Sequence, residues 1–181
     1  MKFSVQPLLQ NEIAELLPLT ENDFEKLYAV ASDPVVWANH PNKNRYERAI
    51  FMNFFQGAIA SGGAFMVCDK TGNVIGGTRF YGYDEADKSI LIGYTFYATD
   101  YWGKGYNHSV KIMMLDYIFN HVDKVFFHVG AENFRSQGAM KKLGAKKIRE
   151  IVVAYYGEPE KRNVEYKITK DEWANWRKSN R

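Results

Sequence analysis

At 181 residues, with 46% hydrophobic and 15% aromatic content, the chain is long enough for one well-buried core and short for two, so a single domain over 1–181 is expected. Its 24 basic and 21 acidic residues leave a net charge of +3; the basic residues are scattered apart from Lys141-Lys142, Lys146-Lys147-Ile148-Arg149 and the C-terminal end, which indicates no nucleic-acid partner and suits an anionic small ligand. Cys68 is the one cysteine, which excludes an intramolecular disulfide and a cysteine-based metal site and favours a reducing, cytoplasmic setting. No apolar run approaches the roughly 18 residues of a membrane span, and His40, His108, His121 and His128 lack the spacing of zinc ligands.

In chain order, 12–19 is apolar enough for an opening strand. Thr20-Glu21-Asn22-Asp23 then supplies a capping hydroxyl with an acid three residues on, a helix start. Leu27, Val30 and Ala31 give that helix an apolar face, Asp33-Pro34 ends or kinks it, and a loop runs through Pro41. Over 46–60, Ile50, Phe51, Phe54, Phe55 and Ala58 recur at helical spacing until Ser61-Gly62-Gly63 stops them. Three short β-rich runs follow, 64–68, 74–83 and 89–97, separated by polar turns and read as an antiparallel meander.

Next comes Tyr101-Trp102-Gly103-Lys104-Gly105-Tyr106-Asn107, between the apolar run 90–97 and an amphipathic segment, 108–121, whose Val110, Met113, Met114, Tyr117 and Ile118 share a face. Strand, glycine loop and helix in that order crowd backbone N–H groups at a helix N-terminus, a site for phosphate or pyrophosphate. A strand over 124–129 completes a βαβ crossover. A helix over 134–143, ended by Gly144, and a terminal hairpin of 148–156 with 163–168 close the chain.

These motifs together resemble the GNAT superfamily of acyl-CoA-dependent N-acetyltransferases, in the branch of the ribosomal-protein N-terminal alanine acetylases. The resemblance rests on Leu19-Thr20-Glu21-Asn22-Asp23, Ser32-Asp33-Pro34, Ile92-Gly93-Tyr94, the glycine loop, Asn133-Phe134-Arg135-Ser136 and Lys142-Leu143-Gly144-Ala145, in order and at family spacing over most of the chain. It implies an α/β (α+β) fold, a mixed and mostly antiparallel sheet of six or seven strands flanked by about four helices.

For the cofactor, the resemblance implies acetyl-CoA as co-substrate and no metal. Its pantetheine arm would enter between two splayed strands against the backbone of Thr95, Phe96 and Tyr97, whose N–H groups would also hold the oxyanion. The amides of Gly103, Lys104, Gly105, Tyr106, Asn107 and His108 would take the pyrophosphate. Trp102 and Asn107 depart from the family signature Q/R-x-x-G-x-G/A at its opening and closing positions. Asn133 matches an asparagine that reaches the cofactor or the splayed backbone, and is equally read as a turn-former.

For catalysis, His128 stands five residues before Asn133, where related N-terminal acetylases often carry a glutamate; it is the candidate base, against a reading as a structural histidine, with Glu132 a weaker alternative. The family's usual tyrosine acid is replaced by Met140. Ser136 is the remaining polar candidate near the cofactor sulfur, or else a helix-capping serine. The acceptor amine would bind among Tyr28, Trp37, Tyr46, Phe54, Tyr81, Tyr83, Tyr155 and Tyr156, most of which read rather as core or rim, with Glu158 and Glu160 either drawing a basic peptide or solvating a turn. Partners are thus acetyl-CoA and a peptide N-terminus or small amine, a homodimer being left open. Against the enzyme stand an acyl-CoA sensor without turnover, which Met140 favours, and a nucleotide-binding module, which lacks a ribose-gripping acid.

Overall fold

Alternation along a central strand sets the layers of this protein, whose computed structural model describes residues 3–180. In β3 (Ala64–Asp69), Phe65 and Val67 enter one apolar cluster while Ala64, Met66 and Cys68 enter another, as the period of two requires of a strand buried on both faces. β3 belongs to an eight-stranded sheet ordered β1-β2-β3-β4-β5-β6-β8-β7. The other strands are β1 (Leu9–Gln10), β2 (Ala14–Pro18), β4 (Val74–Asp84), β5 (Ser89–Tyr97), β6 (Lys124–Gly130), β7 (Lys146–Val153) and β8 (Lys161–Thr169). Every neighbouring pair is antiparallel except β5 and β6.

Helices α1 (Phe24–Ala31), α2 (Pro34–Trp37) and α3 (Arg48–Ser61) cover one face through Leu27, Trp37, Phe51, Phe54 and Phe55. On the other lie α4 (Tyr106–Ile118) and α6 (Lys170–Ser179), with Val110, Met114, Leu115, Ile118 and Trp173 in the core. Met140 of α5 (Phe134–Lys142) joins the same cluster. The meander β3-β4-β5 and the β5-α4-β6 crossover stand where the sequence predicts them.

Four differences have local causes. Where a loop is expected after Asp33-Pro34, α2 forms: the Asp33 carboxylate accepts from the Val35 amide at 2.9 Å and proline occupies the first turn, which it tolerates because it needs no donor there. Upstream of the opening strand, β1 pairs Leu9 with Leu16. At the C-terminus, α6 is absent from the sequence reading although Thr169 and Glu172 form a capping box, the signal used at Thr20. Finally, α4 begins at Tyr106, two residues before the expected start, because Gly105 at φ +85° acts as its cap.

Candidate active site

The site originates in a gap between strands. Parallel pairing of β5 with β6 covers Ser89, Ile90 and Leu91 against Lys124, Val125 and Phe126, after which the strands diverge. At the same point β5 carries a bulge: Gly77 pairs Phe96 and Arg79 pairs Gly93, so two residues, Tyr94 and Thr95, oppose Thr78. The extra residue inverts the phase of the strand. Ile90 and Ile92 lie on the α4 face before the bulge and Tyr97 after it, whereas Phe96, with Tyr94 packed nearby, turns to the α1–α3 face.

Tyr94 carries the strain, at φ +53°, in the left-handed region that costs a non-glycine residue free energy and persists only when its surroundings fix it. Here the Arg79 guanidinium lies 3.8 Å from the centre of its ring, and Tyr81 and Tyr155 meet it edge-on at 4.9 and 5.1 Å. Arg79 is itself buried and donates to the α3 carbonyls of Gly57 and Phe54 at 3.0 and 3.4 Å. The bulge is thereby tied to α3.

Beyond β5, Gly103 and Gly105 both take positive φ, +74° and +85°, which turns the chain sharply into α4. The first helical bond runs from Ser109 N to Gly105 O, so the amides of Tyr106, Asn107 and His108 precede the ladder and face outward as donors. Anchors fix the loop: Tyr101 donates to Asp69 at 2.8 Å and Trp102 Nε1 to the Tyr97 carbonyl at 3.0 Å. Arg135 lies 3.8 Å over the Trp102 ring, giving tryptophan at the opening of the loop a structural use.

A cavity of about 500 Å³ runs from this loop through the gap to the α1–α3 side. Among the described residues its wall contains no carboxylate, while Arg45, Lys111, Arg135, Lys142, His40, His108 and His128 all line it. Burial, with Arg45 and Arg135 adding to it, pushes His40 down to about 3, so it is neutral. The far wall is fixed by Arg45 and Glu158, whose side chains are 5% and 6% exposed. They meet at 2.5 and 2.6 Å, and Asn42 donates to the same carboxylate at 2.8 Å.

A model of the acetyltransferase (GNAT) domain family matches residues 14–146. The chain belongs to the GNAT family. Its fold is similar to that of a GCN5-related N-acetyltransferase from Brucella melitensis, with a TM-score of 0.79, 19% identity, and 96% of this chain and 83% of that one covered. It is similar also to Mycobacterium smegmatis RimJ in complex with CoA-disulfide, with a TM-score of 0.73, 17% identity and coverage of 96% and 93%. A third likeness is to spermidine N-acetyltransferase from Vibrio cholerae in complex with CoA and spermine, with a TM-score of 0.71, 18% identity and coverage of 91% and 100%.

Within this GNAT domain the cavity collects most of the residues singled out in the sequence: Thr95, Phe96, Tyr97, Gly103, Gly105, Tyr106, Asn107, His108, His128, Asn133 and Ser136. Lys104 is exposed and lies outside the lining, as does Glu132. Asn133 accepts from the Ser136 amide at 3.1 Å and so caps α5; the capping role weighed for Ser136 belongs to Asn133 instead. His128 Nε2 lies 3.4 Å from the Glu165 carboxylate, while Nδ1 is buried without a partner. Glu165 therefore favours a proton on Nε2 and leaves Nδ1 an acceptor. Burial lowers the His128 pKa below 6.5 against the opposing pull of Glu165.

Of the aromatic residues proposed for the acceptor, Tyr81 and Tyr155 line the cavity, beside Tyr94, while Trp37 and Phe54 are core and Tyr28, Tyr46, Tyr83 and Tyr156 lie outside its lining. Glu158, expected to be open to a basic peptide, is instead occupied by Arg45 and Asn42. Among the lining residues that the sequence reading did not single out, one is a buried lysine. Lys111, 3% exposed, donates from Nζ to Thr95 Oγ1 at 2.6 Å and Thr78 Oγ1 at 3.0 Å. It shares a stripe with Met114, Leu115 and Ile118, at the i+3, i+4 and i+7 spacing that marks a buried face.

Proposed function

We propose that this GNAT protein is an acetyl-CoA-dependent N-acetyltransferase of the ribosomal-protein alanine acetylase type, acting on a primary amine by direct attack in a ternary complex. The observation that carries this is the single cavity, free of carboxylates among the described residues, that joins the glycine loop to His128. Bound acetyl-CoA supplies an activated acyl group as a thioester. The free amides at the start of α4 bind its pyrophosphate, and the Gly103–Gly105 cradle fits because a β-carbon at either glycine would meet nothing within 4 Å, leaving room for a ligand. Backbone of Thr95, Phe96 and Tyr97, left without a β6 partner by the divergence, receives the pantetheine arm and stabilises negative charge on the carbonyl oxygen. Neutral His128 takes the amine proton at Nδ1.

The cavity wall also bears on the acceptor. A polyamine carries further cations that need carboxylate partners, and Glu158 and Glu165 are engaged by Arg45 and Arg149. A peptide N-terminus or a small monoamine, held against Tyr81, Tyr94 and Tyr155, suits this wall better. The sensor without turnover is favoured by Met140, which lies buried in the cavity wall and holds no proton to give. The single buried Cys68 fits a single domain working in the reducing cytoplasm.

Calorimetric titration with acetyl-CoA, followed by thiol release against a panel of N-terminal peptides, monoamines and polyamines, tests the reading. Binding with release driven by peptides or monoamines is expected. Binding without release from any amine supports the sensor, and absence of binding overturns both.

A further inference from the structure

Lys111 is a buried lysine with no anion beside it. Its Nζ is held by the Thr78 and Thr95 hydroxyls, themselves 2.9 Å apart, and makes no ion pair among the described residues. Burying an ammonium without a counter-charge is costly, and the site gives that cost no structural return: Thr78 and Thr95 already bond to each other. An ammonium has three N–H donors; the two hydroxyls take two, and the residue lies on the cavity wall. The bulge accounts for its position. By inverting the strand it directs Thr95 to the α4 face, beneath the gap where β5 and β6 part, while His128, between Phe127 and Val129 that enter the α4-side core, lines the cavity from the opposite face of the sheet.

Building on the acetyltransferase reading, we propose that Lys111 is the proton donor to the departing thiolate, supplying the acid that Met140 cannot. The amine nitrogen attacks the thioester carbonyl carbon, and the N–C bond forms as the C–S bond breaks. The amine's surplus proton goes to His128 Nδ1. The sulfur takes its proton from Lys111 Nζ, directly or through the Thr95 hydroxyl. Solvent then removes the proton from His128 and returns one to Lys111, so that amine and thioester become amide and thiol.

Acidity separates Lys111 from the other donors on the wall. Burial brings its pKa down to about 7, below the ~8.5 of an ordinary thiol, so transfer to a thiolate runs downhill. Tyr97 Oη is also buried and unpartnered, but burial drives its phenol well above 10, too weak an acid for the task. The other titratable groups on the wall are His108 and Tyr106 on α4, Tyr81 and Tyr94 on β4 and β5, His128 on β6, Arg135 and Lys142 on α5, and His40, Arg45, Tyr101 and Tyr155 on the connecting segments. None is a carboxylate that would hold Lys111 permanently charged.

The test uses Lys111→Met, which keeps the chain length and loses the proton, and Lys111→Arg, which keeps the charge and does not release its proton. Ionisation of the Lys111 ammonium is followed by NMR of the labelled lysine Cε, its signal assigned by its loss in Lys111→Met, a readout independent of turnover. In the wild type with CoA bound it is expected to lose its proton near pH 7, before the thiol does. Acetyl-CoA affinity stays within about threefold in both variants, kcat falls roughly 10²–10⁴-fold in both, and the alkaline fall of kcat near pH 7 is lost. A Lys111 ammonium that keeps its proton up to the pH of an ordinary lysine, or kcat restored by Lys111→Arg, overturns the proton donor. Failure of the wild type to bind acetyl-CoA removes the acetyltransferase reading itself, an outcome distinct from either.

Discussion

The two ends of the cavity are built in different ways. The end at the glycine loop is assembled from one stretch of chain, β5 through the first turn of α4, and its donors are backbone amides. The end at Tyr94 and Tyr155 is assembled from segments about a hundred residues apart: Arg45 and Asn42 reach Glu158, and Asn53 donates to the Tyr156 carbonyl at 2.9 Å. A site made of local backbone tolerates changes of side chain, whereas one made of side chains from distant segments depends on each partner. On the proposed reading, the generic work of holding the cofactor would fall to the first, and the specific work of choosing an amine to the second.

The largest effect expected from a single substitution lies between the two ends. His128→Gln should lower kcat by roughly 10²–10⁴-fold with acetyl-CoA affinity unchanged, as steady-state kinetics and calorimetry would show. Because burial holds the histidine pKa below 6.5, wild-type activity should persist as pH falls through 6.5 and drop only below its lowered pKa. That acid limb should vanish in the variant. A retained limb would assign it to another group.

At the acceptor end, Glu158→Gln leaves the Arg45 charge buried and unpaired, a loss of about 3–5 kcal/mol for such pairs. A lower melting temperature and a raised KM for the amine are expected, with acetyl-CoA affinity near wild type. Equal damage to both ligands would show that the two ends are one unit. At the loop end, Gly105→Val forces a β-branched residue to φ +85°, where left-handed geometry costs roughly 1–2 kcal/mol. Acetyl-CoA binding should weaken at least as much as that strain requires, with little change in the acceptor pocket; retained affinity would detach the loop from the pyrophosphate. The smallest effect belongs to neither end. Thr169→Ala removes the cap of α6 and should cost about 1 kcal/mol in stability, measured by denaturant unfolding, with both ligands bound as before.

The loop end is largely legible in the sequence, because glycine positions, a strand before them and a helix after them are local facts. The order of β3, β4 and β5 follows from their polar turns for the same reason. Legibility ends where a side chain's destination depends on another segment. Alternation along β6 gives His128 one of two faces without saying which is open, and nothing near Glu158 announces that Arg45 takes it. Lys111 reads as the polar edge of α4 because Val110, Met113, Met114, Tyr117 and Ile118 define an apolar stripe; the packed helix is turned so that Lys111 and Leu115 lie inside it and Met113 and Tyr117 lie at its margin.

By itself, then, the sequence placed the glycine loop, through short-range backbone preference, and its motifs carried the resemblance that implies the GNAT fold and the candidates His128, Asn133 and Ser136. Tertiary structure alone decided that Asn133 and not Ser136 caps α5, that Glu158 is spent on Arg45, and that a lysine stands beneath the gap between β5 and β6. The physical reason is burial. Whether a charged group meets water, a counter-ion or an empty wall is set by the packing of elements remote in the chain, and that packing fixes both its proton affinity and its chemistry.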